Sequence, residues 1–191
     1  MSSVSTPYHF TKEAIQKEEE QIRLAQQDAS KFDVLYNHYF EQIFMFALKR
    51  VEDKDVAADI TSQIFFKALQ NLKKYKPQGL PFASWLYRIA RNEIYNMHSA
   101  NKIKLVVSVE SEGVWNMISE IGEEKNQEDF SGLYKVLKKL SESELELIEL
   151  RFFEKRPFQE ISEILEITEN NAKVKTYRIL DKLKILMQNE R

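Results

Sequence analysis

Apolar residues recur at helical spacing through most of this chain, and only four glycines and four prolines interrupt them. Sheet proteins need turn residues every few positions, so this scarcity argues against a turn-rich β architecture. Stretches of Leu, Ile, Lys and Glu favour helix. The expected class is all-α. A length of 191 residues leaves room for one ordinary domain or two small helical ones, each with a modest core. No apolar run approaches the ~20 residues that span a bilayer. Met1 to Phe10 has neither the basic nor the apolar segment of a signal peptide. No membrane insertion is expected, and the protein is placed in the cytoplasm. It has no cysteine, which excludes disulfides and thiolate metal sites.

The periodicity divides the chain. Residues 1–31 read as a polar N-terminal extension that becomes helical near Ile22 and Leu24. Its densest charge run, Glu18-Glu19-Glu20, reads as a solvated face. Residues 32–104 form a helical domain. Its first helix carries Phe32, Leu35, Tyr36, Tyr39, Phe40, Ile43, Phe46, Ala47 and Leu48. Asp53 caps a second helix with Val56, Ile60, Ile64, Phe65, Ala68 and Leu72 on its apolar face. Lys76-Pro77-Gln78-Gly79 breaks it, and Pro81 opens a third helix through Trp85, Leu86, Ile89, Ala90 and Ile94. Residues 105–132, with three glycines, scattered acids and little periodicity, read as a linker. If all of it were extended it would reach at most about 90 Å.

Residues 133–191 carry the sharper signals. Ser141 and Glu144 have capping-box spacing. Pro157 opens a short helix, Glu166-Ile167 turns, and Thr168 caps a longer basic helix running to about Met187. Short helix, brief turn and longer basic helix make a helix-turn-helix. At ~100° per residue, Ala172, Thr176, Ile179, Leu183 and Leu186 share the packed side of that last helix. The other side presents Asn170, Asn171, Lys173, Val174, Tyr177 and Arg178, with Lys175 at its edge. Lys and Arg neutralise phosphates or read guanine, Asn pairs with adenine, and Val174 suits a thymine methyl.

The net charge is −2, an unusual value for a DNA-binding chain. Basic residues prevail from Asp33 to Lys104 and from Asn170 to Arg191, with acidic stretches between. Two weak DNA contacts are expected rather than one strong one, and a larger partner to hold them. An enzyme reading finds little support. His9, His38 and His98 are scattered, no metalloprotease motif occurs, and the isolated glycines cradle no phosphate. No catalytic residue, metal, cofactor or small-molecule substrate is expected. A helix-turn-helix regulator that works without polymerase, and a pure interaction adaptor, both stay open at this point.

Three stretches carry a family resemblance. Ala57-Ala58-Asp59-Ile60-Thr61-Ser62-Gln63-Ile64-Phe65-Phe66-Lys67-Ala68-Leu69 resembles sigma region 2.2. Pro81-Phe82-Ala83-Ser84-Trp85-Leu86-Tyr87-Arg88-Ile89-Ala90-Arg91-Asn92 is similar to region 2.3 of the extracytoplasmic-function sigma factors. From Leu140 onward, including Leu150-Arg151-Phe152-Phe153 and Phe158 to Leu165, the chain resembles region 4. The resemblance runs from about Phe32 to Leu186.

It implies a sigma factor that binds core RNA polymerase and promoter DNA and initiates transcription, with an anti-sigma factor open as a further partner. Region 2.2 docks on the clamp coiled coil of the polymerase large subunit, a role that falls on Asp59, Gln63 and Lys67. The loop before Pro81 and the adjoining helix capture a base flipped from the −10 strand, which points to Tyr75, Gln78, Gly79, Asn92 and Asn96. A pocket with hydrogen-bonding groups and a flanking aromatic offsets the few kcal/mol that extruding a base costs. Region 4 reads the −35 element, a role that falls on Asn170, Asn171, Lys173, Val174, Lys175, Tyr177 and Arg178. In the family the linker threads toward the active cleft, and a solvated tether is the plainer reading. Trp85, among Leu86 and Ile89, reads as core. The sequence departs from the pattern in three places. Glu93 to Ser99 lacks arginines, Glu166 stands where a turn glycine is usual, and Ala172 replaces a larger apolar residue.

Overall fold

The computed structural model describes residues 11–100, 111–122, 132–133 and 135–190, and among these every regular element is helical. The chain forms two compact units, Met1–Ser108 and Val109–Arg191.

The N-terminal unit holds α1 (Lys12–Gln27), α2 (Phe32–Val51), α3 (Lys54–Asn71) and α4 (Phe82–Ser99). Each start has a physical reason. Thr11 caps α1 by accepting from the Ala14 N–H, and Asp53 caps α3 by accepting from Asp55 and Val56. Pro81 precedes α4 and offers no side-chain cap. Leu35, Tyr39, Ile43 and Phe46 of α2 meet Ile60, Ile64 and Ala68 of α3 and Phe82, Leu86 and Ala90 of α4 in one buried core. Trp85 belongs to that core, as its spacing predicts.

The N-terminal extension differs from expectation. Its helix begins at Lys12, ten residues before Ile22, and packs on α2 with Ile22 and Ala25 buried. Glu18, expected on a solvated face, is buried too. Its carboxylate accepts from the Tyr39 hydroxyl and from the Phe82 N–H at 2.7 Å. A buried carboxylate is tolerable because both oxygens are hydrogen-bonded.

The C-terminal unit contains α5 (Ser111–Ile121), α6 (Glu142–Ile148) continuing into a π-helical turn (Glu149–Phe153), α7 (Phe158–Leu165) and α8 (Glu169–Glu190). The Ser141–Glu144 capping box is formed on both sides. Part of the stretch read as a linker is therefore a helix of this unit. Val114, Met117, Ile118 and Ile121 are buried, at the spacing of a single helical stripe. The turn after Phe152 comes so close to α5 that a Cβ on Gly113 would lie 1.9 Å from a Phe153 ring carbon. Lys184 of α8 donates to the Ile121 carbonyl at 3.1 Å, capping the end of α5. The other residues read as linker, 105–110 and 123–131, lie outside the described residues.

Candidate nucleic-acid interface

The helix-turn-helix is assembled locally. α7 ends at Glu166, which sits in the left-handed region at φ 54°, ψ 42°. Glutamate in place of glycine there costs roughly 1 kcal/mol. The Ile167 N–H still closes the turn on the Ser162 carbonyl at 3.0 Å. The Thr168 hydroxyl then accepts from the Asn171 N–H at 3.2 Å, starting α8. Ala172, Thr176, Ile179 and Leu183 are buried, as the periodicity requires. Leu186 is only half-buried, and Leu180 and Met187 are buried as well. The packed stripe drifts around this long helix because 3.6 residues per turn do not repeat evenly over seven.

All seven side chains assigned to the recognition arc are exposed. Val174 is 38% exposed and Tyr177 51%, large values for apolar bodies on a polar arc. Tyr177 leans toward Phe158 of α7, with ring centroids 6.4 Å apart. Lys173 forms an exposed pair with Glu169 at 2.6 Å. Such a pair is worth little in water and leaves the ammonium available to a phosphate.

In the N-terminal unit the loop between α3 and α4 begins at Tyr75. Its ring packs against Trp85 at 4.5 Å and against Phe82 at 5.4 Å, edge-on, and stays half-buried. Gln78 is exposed, and Gly79 turns the loop at φ 70°, which favours glycine. Asn92 and Asn96 are exposed one turn apart on α4. They lie about 10 and 16 Å beyond Trp85 along the helix axis. Asn92 and Asn96 thus share the Trp85 side of α4, a track with Tyr75 at its Trp85 end. The Asn92 carboxamide oxygen accepts from Arg91 at 3.5 Å, so an arginine stands beside the track.

On α3, Asp59 and Gln63 are exposed, while Lys67 pairs with Glu93 of α4. The same face carries Phe66, 56% exposed, and Leu69, 37% exposed, lies at its flank away from Lys67. Neither was singled out from the sequence. Phase reveals them: two residues on from Ile64, Phe66 lies about 200° around the helix from the buried stripe. An exposed aromatic beside aliphatic and charged groups is the usual make-up of a protein-docking surface.

Comparison with known proteins settles the family. Sigma-70 region 2 matches residues 35–102, and Sigma-70, region 4 matches residues 136–184. The chain belongs to the sigma-70 family. Sigma factors of this family are transcription initiation factors rather than enzymes. The ECF RNA polymerase sigma factor BldN of Streptomyces coelicolor is 26% identical over 85% of this chain and 62% of its own length. The ECF RNA polymerase sigma factor SigM of Bacillus subtilis is 23% identical over 81% of this chain and 93% of its own. Both of these relatives are named as ECF sigma factors. The fold is similar to that of CnrH, solved with the cytosolic domain of CnrY, at a TM-score of 0.58 and 16% identity over 90% of this chain and 97% of that one. It is similar also to Bartonella quintana RpoE, solved with the anti-sigma factor NepR, at 0.54 and 19% identity over 84% and 98%.

Proposed function

We propose that this sigma factor docks on core RNA polymerase through α3 and, held there, reads a promoter at two places. Asp59, Gln63 and Lys67 take the polar part of the docking surface, with Phe66 and Leu69 as its apolar centre. Tyr75, Gln78, Gly79, Asn92 and Asn96 take the −10 strand: the aromatic ends the track and the carboxamides hydrogen-bond base edges. Asn170, Asn171, Lys173, Val174, Lys175, Tyr177 and Arg178 take the −35 element in the major groove. The observation that carries this reading is a helix-turn-helix with its whole recognition arc exposed, on a chain that also matches region 2. Its net charge of −2 explains why the scaffold is needed, since affinity for duplex grows with the phosphates neutralised. The same reading places the protein in the cytoplasm, where the polymerase works. An anti-sigma factor is a further proposed partner, by likeness to RpoE.

Reconstitution with core polymerase tests it. Promoter-dependent transcripts are expected only when both are present. A chain that bound its duplex as tightly without core would be an independent regulator. One that bound core and opened no promoter would be an adaptor.

A further inference from the structure

The α3–α4 loop is held at its ends both by its own residues and by a neighbouring helix. Its near end is closed by the Tyr75 N–H on the Leu72 carbonyl at 3.0 Å, and its far end enters α4 at a proline with no side-chain cap. Both ends are also held by α1, which lies before the segment matched to region 2. The Gln26 carboxamide nitrogen donates to the Leu72 carbonyl at 2.9 Å and to the Tyr75 carbonyl at 2.8 Å. Glu18 accepts from the Phe82 N–H, so it does for α4 what an N-cap residue would do, with its charge at the favourable end of the helix dipole.

Glu18, Ile22 and Gln26 are spaced four apart, so one face of α1 carries all three. Glu18 and Gln26 are eight residues apart, about 12 Å along the axis. From this the geometry points to a role for the N-terminal helix: α1 is a rigid bar that fixes the mouth of the base-capture loop, with Gln26 and Glu18 as positioning residues for promoter-strand binding. The inference rests on the proposed −10 reading of that loop. Gln26 holds the two carbonyls that lead into the loop just as Tyr75 turns against Trp85. Without it the start of the loop loses two of the hydrogen bonds that hold it, and the aromatic end of the track is less firmly placed. Ordering the loop before DNA arrives leaves less conformational entropy to lose on binding.

The sharpest variant is Gln26→Glu, which keeps the shape and removes the donor. Gln26 is half-buried, so the variant is expected to fold. The probe is a fluorescent single-stranded DNA, selected from a random pool by wild-type holoenzyme. Gln26→Glu holoenzyme is expected to bind it roughly tenfold more weakly, the loss of one to two part-buried hydrogen bonds. Core affinity and binding of −35 duplex stay unchanged, and amides of the loop exchange faster with solvent. Gln78→Ala is the control for the loop itself. If Gln78→Ala weakens the probe and Gln26→Glu does not, the bracing role is wrong while the loop reading stands. If neither variant weakens it, the loop reading falls and the inference with it. If Gln26→Glu also loses core binding, the residue serves the whole unit, and the specific role is overturned.

Discussion

The two units solve the problem of a small core differently. In the N-terminal one, aromatic rings interlock: Phe46 meets Tyr87 at 4.5 Å, and Tyr36 meets Phe65 at 4.8 Å. Among its described residues Glu18 is the one buried charged side chain, and it joins helices. The C-terminal unit buries Glu146, Glu154, Arg156 and Glu160. Arg156 is fully buried and pairs with Glu160 at 3.2 Å. Truncating an interlocked ring leaves a cavity that its neighbours partly close. Removing one member of a buried ion pair leaves a charge that water cannot reach to compensate.

That contrast predicts where the molecule breaks. Glu160→Ala should destabilise the C-terminal unit by about 3–5 kcal/mol, the cost of taking a paired carboxylate away from a buried guanidinium. Native-state hydrogen exchange would show lost protection in α8 with α2 unchanged. Equal loss in both units would erase the contrast. Replacing both partners by apolar residues, Arg156→Met with Glu160→Leu, should restore most of the stability.

Gly113→Ala comes next. The added carbon must displace Phe153, and overpacking of this kind costs typically about 1–3 kcal/mol. Reduced melting temperature with slower loss in α2 amides would confirm that α5 belongs to the C-terminal core. An unchanged melting temperature would detach it.

Lys173→Ala and Arg178→Ala should weaken −35 binding by holoenzyme and lower the salt-dependence slope by about 0.9 for each phosphate contact removed. Core association should not change. Loss of core binding would mean that α8 is a docking helix.

The smallest effect concerns acid. The Lys182 ammonium, and then the Ser141 N–H, hold the Glu144 carboxyl below its ordinary value. A lowered folded-state pKa gives stability that is complete above the usual carboxylate range and fades as pH falls through the depressed value. Glu144→Gln should therefore be less stable than the parent near neutrality, with the gap closing on acidification. A gap that is constant with pH would show that the Lys182 contact contributes nothing.

Much of this was legible in the residues. Caps at Asp53, Ser141 and Thr168 act within three residues of themselves, and the α8 arc follows from the helical angle alone. What escaped reading depends on partners far along the chain. Glu18 looks solvated in a run of glutamates because Tyr39 and Phe82 lie 21 and 64 residues away. Arg156 resembles any exposed arginine until Glu160 and the surrounding burial are seen. α5 was hidden by its glycine, which weakens a helix locally yet is required where Phe153 crosses it. The exposed Phe66 was legible by phase, since it falls opposite the buried stripe of α3.

If the two units read the two promoter elements as proposed, the helix inside the expected linker limits promoter geometry. With α5 folded against the second unit, only residues 101–110 join Ala100 to Ser111. That length of backbone stretches to about 40 Å at most. Each base pair inserted between the two promoter elements adds about 3.4 Å and turns one element around the duplex axis relative to the other. A chain with so few residues between α4 and α5 should accept few spacer lengths, and loosening α5 would widen the choice.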